Sequence, residues 1–161
     1  MKKYLPFLPA AIGVLALIMI FLPAISVSGA DTTYNGFTAI FGGENIFAFS
    51  FMNMLTYTFV IGAIVCNILY VLKKKQVFSY IVAGCFLMAT IFFFCTVEFA
   101  MFKGYTGAVA DMLRDYLDLG AGAIIAAILC IIGTLLSTLV AFGGIIAKKL
   151  LEKIQNQENQ Q

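Results

Sequence analysis

The stretch LGAGAIIAAILCIIGTLLSTLVAFGGIIA, Leu119 to Ala147, carries no charged side chain and decides the fold class of the chain. Crossing a hydrocarbon core of ~30 Å takes about 20 apolar residues in a helix, and this stretch exceeds that length. Three more uncharged stretches precede it: Tyr4 to Ala30, Asn45 to Leu72 and Gln76 to Val97. In lipid each backbone amide must find its partner within its own segment, so each stretch reads as a helix. A transmembrane barrel is excluded, because its strands would alternate polar and apolar over about ten residues. The composition agrees, at 62% hydrophobic and 11% charged against about a quarter charged in a soluble domain.

These stretches predict an all-α integral membrane protein: a four-transmembrane-helix bundle, up-down-up-down, forming one domain over residues 1–161. The expected spans are 4–27, 49–72, 77–99 and 119–147, and the polar tail 151–161 is expected to be disordered. Orientation follows from the lysines. Lys2 and Lys3 precede the first span, Lys73, Lys74 and Lys75 link the second and third, and Lys148, Lys149 and Lys153 follow the fourth. Only Lys103 and Arg114 of the 10 basic residues remain for the other side. Cytoplasmic loops collect Lys and Arg, so both termini are expected in the cytoplasm of a multi-pass cell-membrane protein. Ser28-Gly29-Ala30 has the small residues of a signal-peptide cleavage site. The apolar run Leu5 to Leu22 is longer than the roughly 7–15 residues of a signal core, so the segment is expected to stay as the first span.

Two connections lie on the expected outer side. In the first, Asn35-Gly36 between Thr32-Thr33-Tyr34 and Phe37-Thr38-Ala39-Ile40 is a turn signal for a short hairpin. The competing reading is a short interfacial helix, with Phe37, Ile40 and Phe41 at helical spacing. In the second, Val109, Met112, Leu113, Tyr116 and Leu117 form an apolar stripe opposite Asp111, Arg114, Asp115 and Asp118. This predicts an amphipathic helix before the fourth span.

Inside the spans two patterns stand out. Gly122, Ala126, Cys130, Gly133, Ser137, Ala141 and Gly144 recur at spacings of three and four, a row of small residues that lets another helix approach closely. Asn53, Thr56 and Asn67 share one face of the second helix with Ala63 and Tyr70. With Glu98 they could line a polar pathway. The blander reading is that Asn53, Thr56 and Asn67 bond to a neighbouring helix, for instance to Thr134 or Ser137, and that Glu98 is an interfacial charge partnered by Lys103 or Arg114.

Much chemistry is excluded. Without a single His, imidazole-activated nucleophiles and imidazole zinc sites are out, and no Gly-rich phosphate loop is present. Cys66, Cys85, Cys95 and Cys130 all fall within spans and form no CxxC pair, so they read as small buried hydrophobes. No catalytic set, cofactor or metal site is expected. The basic residues sit at span edges as topology determinants, without the clustering a nucleic-acid surface needs.

The expected function is that of a small non-enzymatic membrane protein, an interaction, scaffold or accessory subunit. Its partners are the lipid bilayer and another membrane protein or a second copy of itself. The alternative is a small oligomeric channel or transporter using the polar face of the second helix. Four spans, inner termini and a longer first outer segment resemble the layout of tetraspan proteins of the claudin type. The resemblance is one of layout alone: the chain has no Trp and no Cys outside its spans. The preference for Lys, with Arg114 the single Arg, suggests a bacterial source.

Overall fold

The computed structural model describes residues 5–43 and 46–158. Lys2, Lys3, Glu44 and Asn45 lie outside the described residues, as do the side chains of 144–158, Lys148, Lys149 and Lys153 among them. In chain order the elements are α1 (Leu8–Ile18), β1 (Pro23–Val27), β2 (Thr33–Asn35), α2 (Gly36–Phe41), α3 (Phe51–Lys73), α4 (Gln76–Phe94), α5 (Ala108–Arg114), β3 (Leu117–Leu119) and α6 (Ala121–Glu158). The chain is mostly helical, at 69%. Among the described residues three helices are long and apolar enough to cross a membrane: α3, α4 and the part of α6 from Ala121 to Gly143.

The first apolar stretch departs from the expected span 4–27. Leu5–Phe7 and Met19–Phe21 are 3-10 turns on either side of α1, and Pro23–Val27 is a strand. Pro23 has no amide to donate into a helix, and Ile25 and Val27 are β-branched. The helical stretch Leu8–Phe21 is therefore shorter than the other three.

The remaining boundaries shift for local and tertiary reasons. α3 starts at Phe51 rather than 49, because the Ser50 side chain accepts the Asn53 amide as N-cap. α4 stops at Phe94 instead of continuing to 99. Beyond it, the carbonyls of Thr96 and Phe99 receive the side chains of Asn53 and Ser50. α6 starts at Ala121 because Leu117–Leu119 pairs with β1. It then runs to Glu158, so residues 151–158, expected to be disordered, continue the helix. No Gly or Pro follows Gly144 to stop it, and Leu, Lys, Glu and Gln are good helix formers.

Each of the four longer helices packs on two others: α1 on α3 and α6, α3 on α1 and α4, α4 on α3 and α6. The centre is built from small side chains and one large ring. Ala16, Val60, Ala63, Val82, Ala89, Ala126 and Cys130 are fully buried with Phe86. A Cβ placed on Gly133 would lie 3.0 Å from the Phe86 ring, and one on Gly13 would lie 3.2 Å from its tip. Phe86 thus reaches across from α4 between a glycine of α6 and a glycine of α1.

At the end of the helices opposite the Lys73–Lys75 link, both connections merge into a cap that an all-α reading did not include. β1 is the centre of a three-stranded sheet, order β2-β1-β3. It runs antiparallel to β2, with Ile25 opposite Tyr34, and antiparallel to β3, with Ile25 opposite Leu119. The hairpin expected at Asn35-Gly36 does not form, because Phe37 to Ile40 are helical; a different one joins β1 to β2 over Ser28 to Thr32, where the Val27 amide donates to the Thr32 carbonyl. Asn35 is instead the N-cap of α2, its Oδ1 accepting the Thr38 amide at 2.9 Å. Asn serves a cap as readily as a turn, so the helical alternative is the one adopted there. A cut after Ala30 would remove the sheet's central strand together with α1.

The amphipathic segment is also shorter than its pattern. α5 ends at Arg114, and Leu117 joins the sheet rather than a helix face. Val109, Met112 and Tyr116 are exposed, while Leu113 and Leu117 pack on the core.

Candidate functional site

The residues that join the cap to the helices cluster around the start of α3. Asn53 is buried, and its Nδ2 donates to the Ala39 carbonyl of α2 at 3.1 Å and to the Thr96 carbonyl at 3.3 Å. Ser50, equally buried, donates its hydroxyl to the Phe99 carbonyl at 2.6 Å and its amide to the Ile40 carbonyl at 2.8 Å. Two adjacent side chains thereby tie the first connection, α3 and the segment after α4 into one node. Nearby, Ala48 donates to the Met101 carbonyl and Lys103 to the Ile46 carbonyl, each at 2.8 Å. The Phe47 ring packs on Phe102 and against the edge of Tyr34.

Arg114 fastens the second connection. Its Nε and Nη2 donate to the Ala100 carbonyl at 3.3 and 3.2 Å, and its Nη1 to Asp111 at 2.6 Å. This corrects the expectation that Arg114 or Lys103 partners Glu98. The Arg114–Asp111 contact is the one ion pair among the described residues, and Glu98 and Lys103 are exposed. Glu98 also sits beyond the end of α4 rather than within a span.

Two clefts border this clamp and another adjoins them. One of 380 Å³ is bordered by Glu98, Asp111, Arg114 and Asp115 and is mainly polar. One of 430 Å³, lined by Phe51, Met52, Phe99 and Met101, shares Glu98 at its edge and is mainly apolar. A third, of 230 Å³, runs from Met101 and Phe102 past Tyr105 to Ala110 and Arg114. Three carboxylates against one guanidinium give the polar cleft an acidic bias, suited to a basic or hydrogen-bond-donating group. No group of three His, Cys, Asp or Glu that could hold a metal ion occurs among the described residues.

The polar face of α3 is interrupted. Asn53 and Asn67 lie 14 residues apart, about 21 Å along a helix, with Val60 and Ala63 fully buried between them. Thr56 donates back to the Met52 carbonyl within its own helix. The expected bonds to Thr134 and Ser137 are absent among the described residues, because both hydroxyls also return to their own helix, at Cys130 and Gly133. The cross-helix bond in this region comes from an unanticipated residue: Ser79 of α4 donates to the Ser137 carbonyl at 3.0 Å. Asn67 is buried with its Oδ1 unpartnered among the described residues.

On α6, Gly122, Ala126, Cys130, Gly133, Ser137 and Ala141 are all buried. Gly122 abuts Leu22 and Pro23, and its neighbour Gly120 lies against the Pro23 carbonyl with no space for a Cβ. The upper part of the row therefore receives β1, and the lower part receives α4. Lys73, Lys74 and Lys75 are exposed at the far end, and all four cysteines are free thiols. Ser50, Thr96 and Gly13 were missed. Ser50 alone had a local signal, as a serine three residues before Asn53 at a helix start.

Compared with known proteins, the chain matches no family model, no curated protein and no solved structure.

Proposed function

We propose that the chain is a four-span cell-membrane protein that acts by contact, an accessory or scaffold subunit presenting its cap on the outer side. α1 with its flanking 3-10 turns supplies the fourth span. Its packing on both α3 and α6, and the outward exposure of Leu8, Val14, Leu15, Ile18 and Phe21, support that reading. The exposed lysine link marks the cytoplasmic end by the positive-inside rule, which puts both termini inside.

The observation that carries the contact function is the cap itself. Two connections distant in sequence are joined into one sheet, yet β2 and β3 each pair on one side only among the described residues. Edge strands with open backbone groups are templates for a partner strand. Purification in mild detergent, with a photo-crosslinking residue at Thr33 or Asp118, tests this. A stoichiometric partner or a defined homo-oligomer crosslinked through the cap is expected. A monomer with no crosslinked species counts against the proposal.

One observation favours a second reading, a small channel or transporter. Buried oxygens are rarely left unpartnered, and the Oδ1 atoms of both Asn53 and Asn67 are unpartnered among the described residues. Ion flux through the protein in liposomes, lost in Asn67→Leu or Glu98→Gln, would select it.

A further inference from the structure

Four phenylalanine rings form a row along one side of the cap. Phe21 and Phe37 have ring centroids 5.3 Å apart, Phe37 and Phe41 6.4 Å, and Phe41 and Phe49 6.4 Å. Packing against one another has not hidden them: Phe21 is 67% exposed, Phe41 61% and Phe49 50%. α2 is two-faced, with Ala39 and Ile40 buried against the core and Phe37 and Phe41 turned outward.

We propose that this row lies in the membrane interface, seating α2 in the plane of the cap-side leaflet. The inference rests on the membrane reading of the helices and adds to it a second kind of membrane contact. Continuity identifies lipid as the occupant. The exposed apolar surface of α1, through Val14, Leu15 and Ile18, leads to Phe21 at its end and from there onto Phe37 and Phe41. At its other end the row reaches Phe49 and the exposed Phe51, which opens the candidate span α3. Among the described residues, any boundary that covers the outer surfaces of α1 and α3 therefore reaches the row through exposed apolar side chains; Glu44 and Asn45, between Phe41 and Phe49, lie outside them.

Charge and length point the same way. From Tyr4 to Gly43 the single charged residue is Asp31, and it sits in the turn at the far end of β1. α1 with its 3-10 turns covers roughly 25–28 Å, short of a ~30 Å core. A helix lying in the interface with its apolar face sunk among the acyl chains fills that shortfall.

The absence of Trp makes the test direct, since each engineered Trp is the single indole and can be excited at wavelengths where the 7 Tyr do not absorb. Phe41→Trp, Ala30→Trp and Ile61→Trp are placed in phosphatidylcholine liposomes with and without bromine-labelled acyl chains. Ile61 is an exposed residue within α3, and Ala30 lies in the exposed hairpin turn. Expected are a blue-shifted Trp at 41 quenched at least twofold, quenching also at 61, and a red-shifted unquenched Trp at 30. Quenching at 61 without quenching at 41 overturns this inference alone. A blue-shifted but unquenched Trp at 41 does so by assigning the row to a protein surface. No quenching at 61 overturns the membrane reading beneath it. Phe37→Trp repeats the measurement should Phe41→Trp fail to fold.

Discussion

Where α4 meets α6, Phe86 lies against Gly133, and the contact depends on side chains that are missing. Where the cap meets the helices, Ser50 and Asn53 reach out to four backbone carbonyls and amides, and the contact depends on side chains that are present. The two regions answer different demands. Within a helix every backbone group is already bonded, so in lipid, without a hydrophobic drive between helices, association rests on close van der Waals approach. At the cap the chain leaves helical geometry, freeing carbonyls at Ala39, Ile40, Thr96 and Phe99 that need donors. Small residues are the solution in the first setting and polar ones in the second.

The contrast can be broken most severely from the bundle side. Gly133→Leu drives a branched side chain into the Phe86 ring and should cost about 3 kcal/mol, the upper range for overpacking. A clear drop in Tm in detergent, with loss of α4–α6 crosslinking, is expected. An unchanged Tm would show that Phe86 can move aside and that the row is not tightly packed.

Breaking the node in the cap should do less. Asn53→Leu removes the amide donor and strands the Ala39 and Thr96 carbonyls, a loss of about 2 kcal/mol. The damage should be local: faster proteolysis of the first connection between Thr33 and Phe47, with α4–α6 crosslinking unchanged. Equal protection of wild type and variant would remove Asn53 from its joining role.

A third substitution sets the scale from a position in neither region. Lys74 has a φ of +51°, the single non-glycine residue with positive φ among the described residues, where a side chain costs about 1 kcal/mol. Lys74→Gly should therefore raise the Tm slightly, with Lys73 and Lys75 still marking that end. A lowered Tm would mean that the Lys74 side chain makes a contact outweighing its strained backbone.

The three long apolar helices and the burial of the row on α6 were legible because both are properties of a single segment. Length without charge predicts a helix in lipid, and a repeat of three and four predicts which face packs. The lysine link was legible for the same reason, being a local run. The polar positions of α3 were less so. Asn53, Thr56 and Asn67 share a face, but that face does not show that Asn53 joins two connections, that Thr56 bonds within its helix, or that apolar residues separate Asn53 from Asn67.

By itself, then, the sequence determined that the chain is largely helical and which stretches are greasy enough for a bilayer, since both depend on side chains within one turn or one span. Only the tertiary structure decided that Pro23–Val27 is a central strand, that Asn35 caps a helix instead of turning a hairpin, and that α4 yields at Phe94. Two of those outcomes depend on partners tens of residues away, Leu117–Leu119 for the strand and Ser50 and Asn53 for the helix end; the Asn35 cap is local, a choice between two short-range roles open to the same residue. A backbone group released from local bonding takes whichever donor or acceptor the fold brings to it, and spacing along the chain does not reveal that meeting.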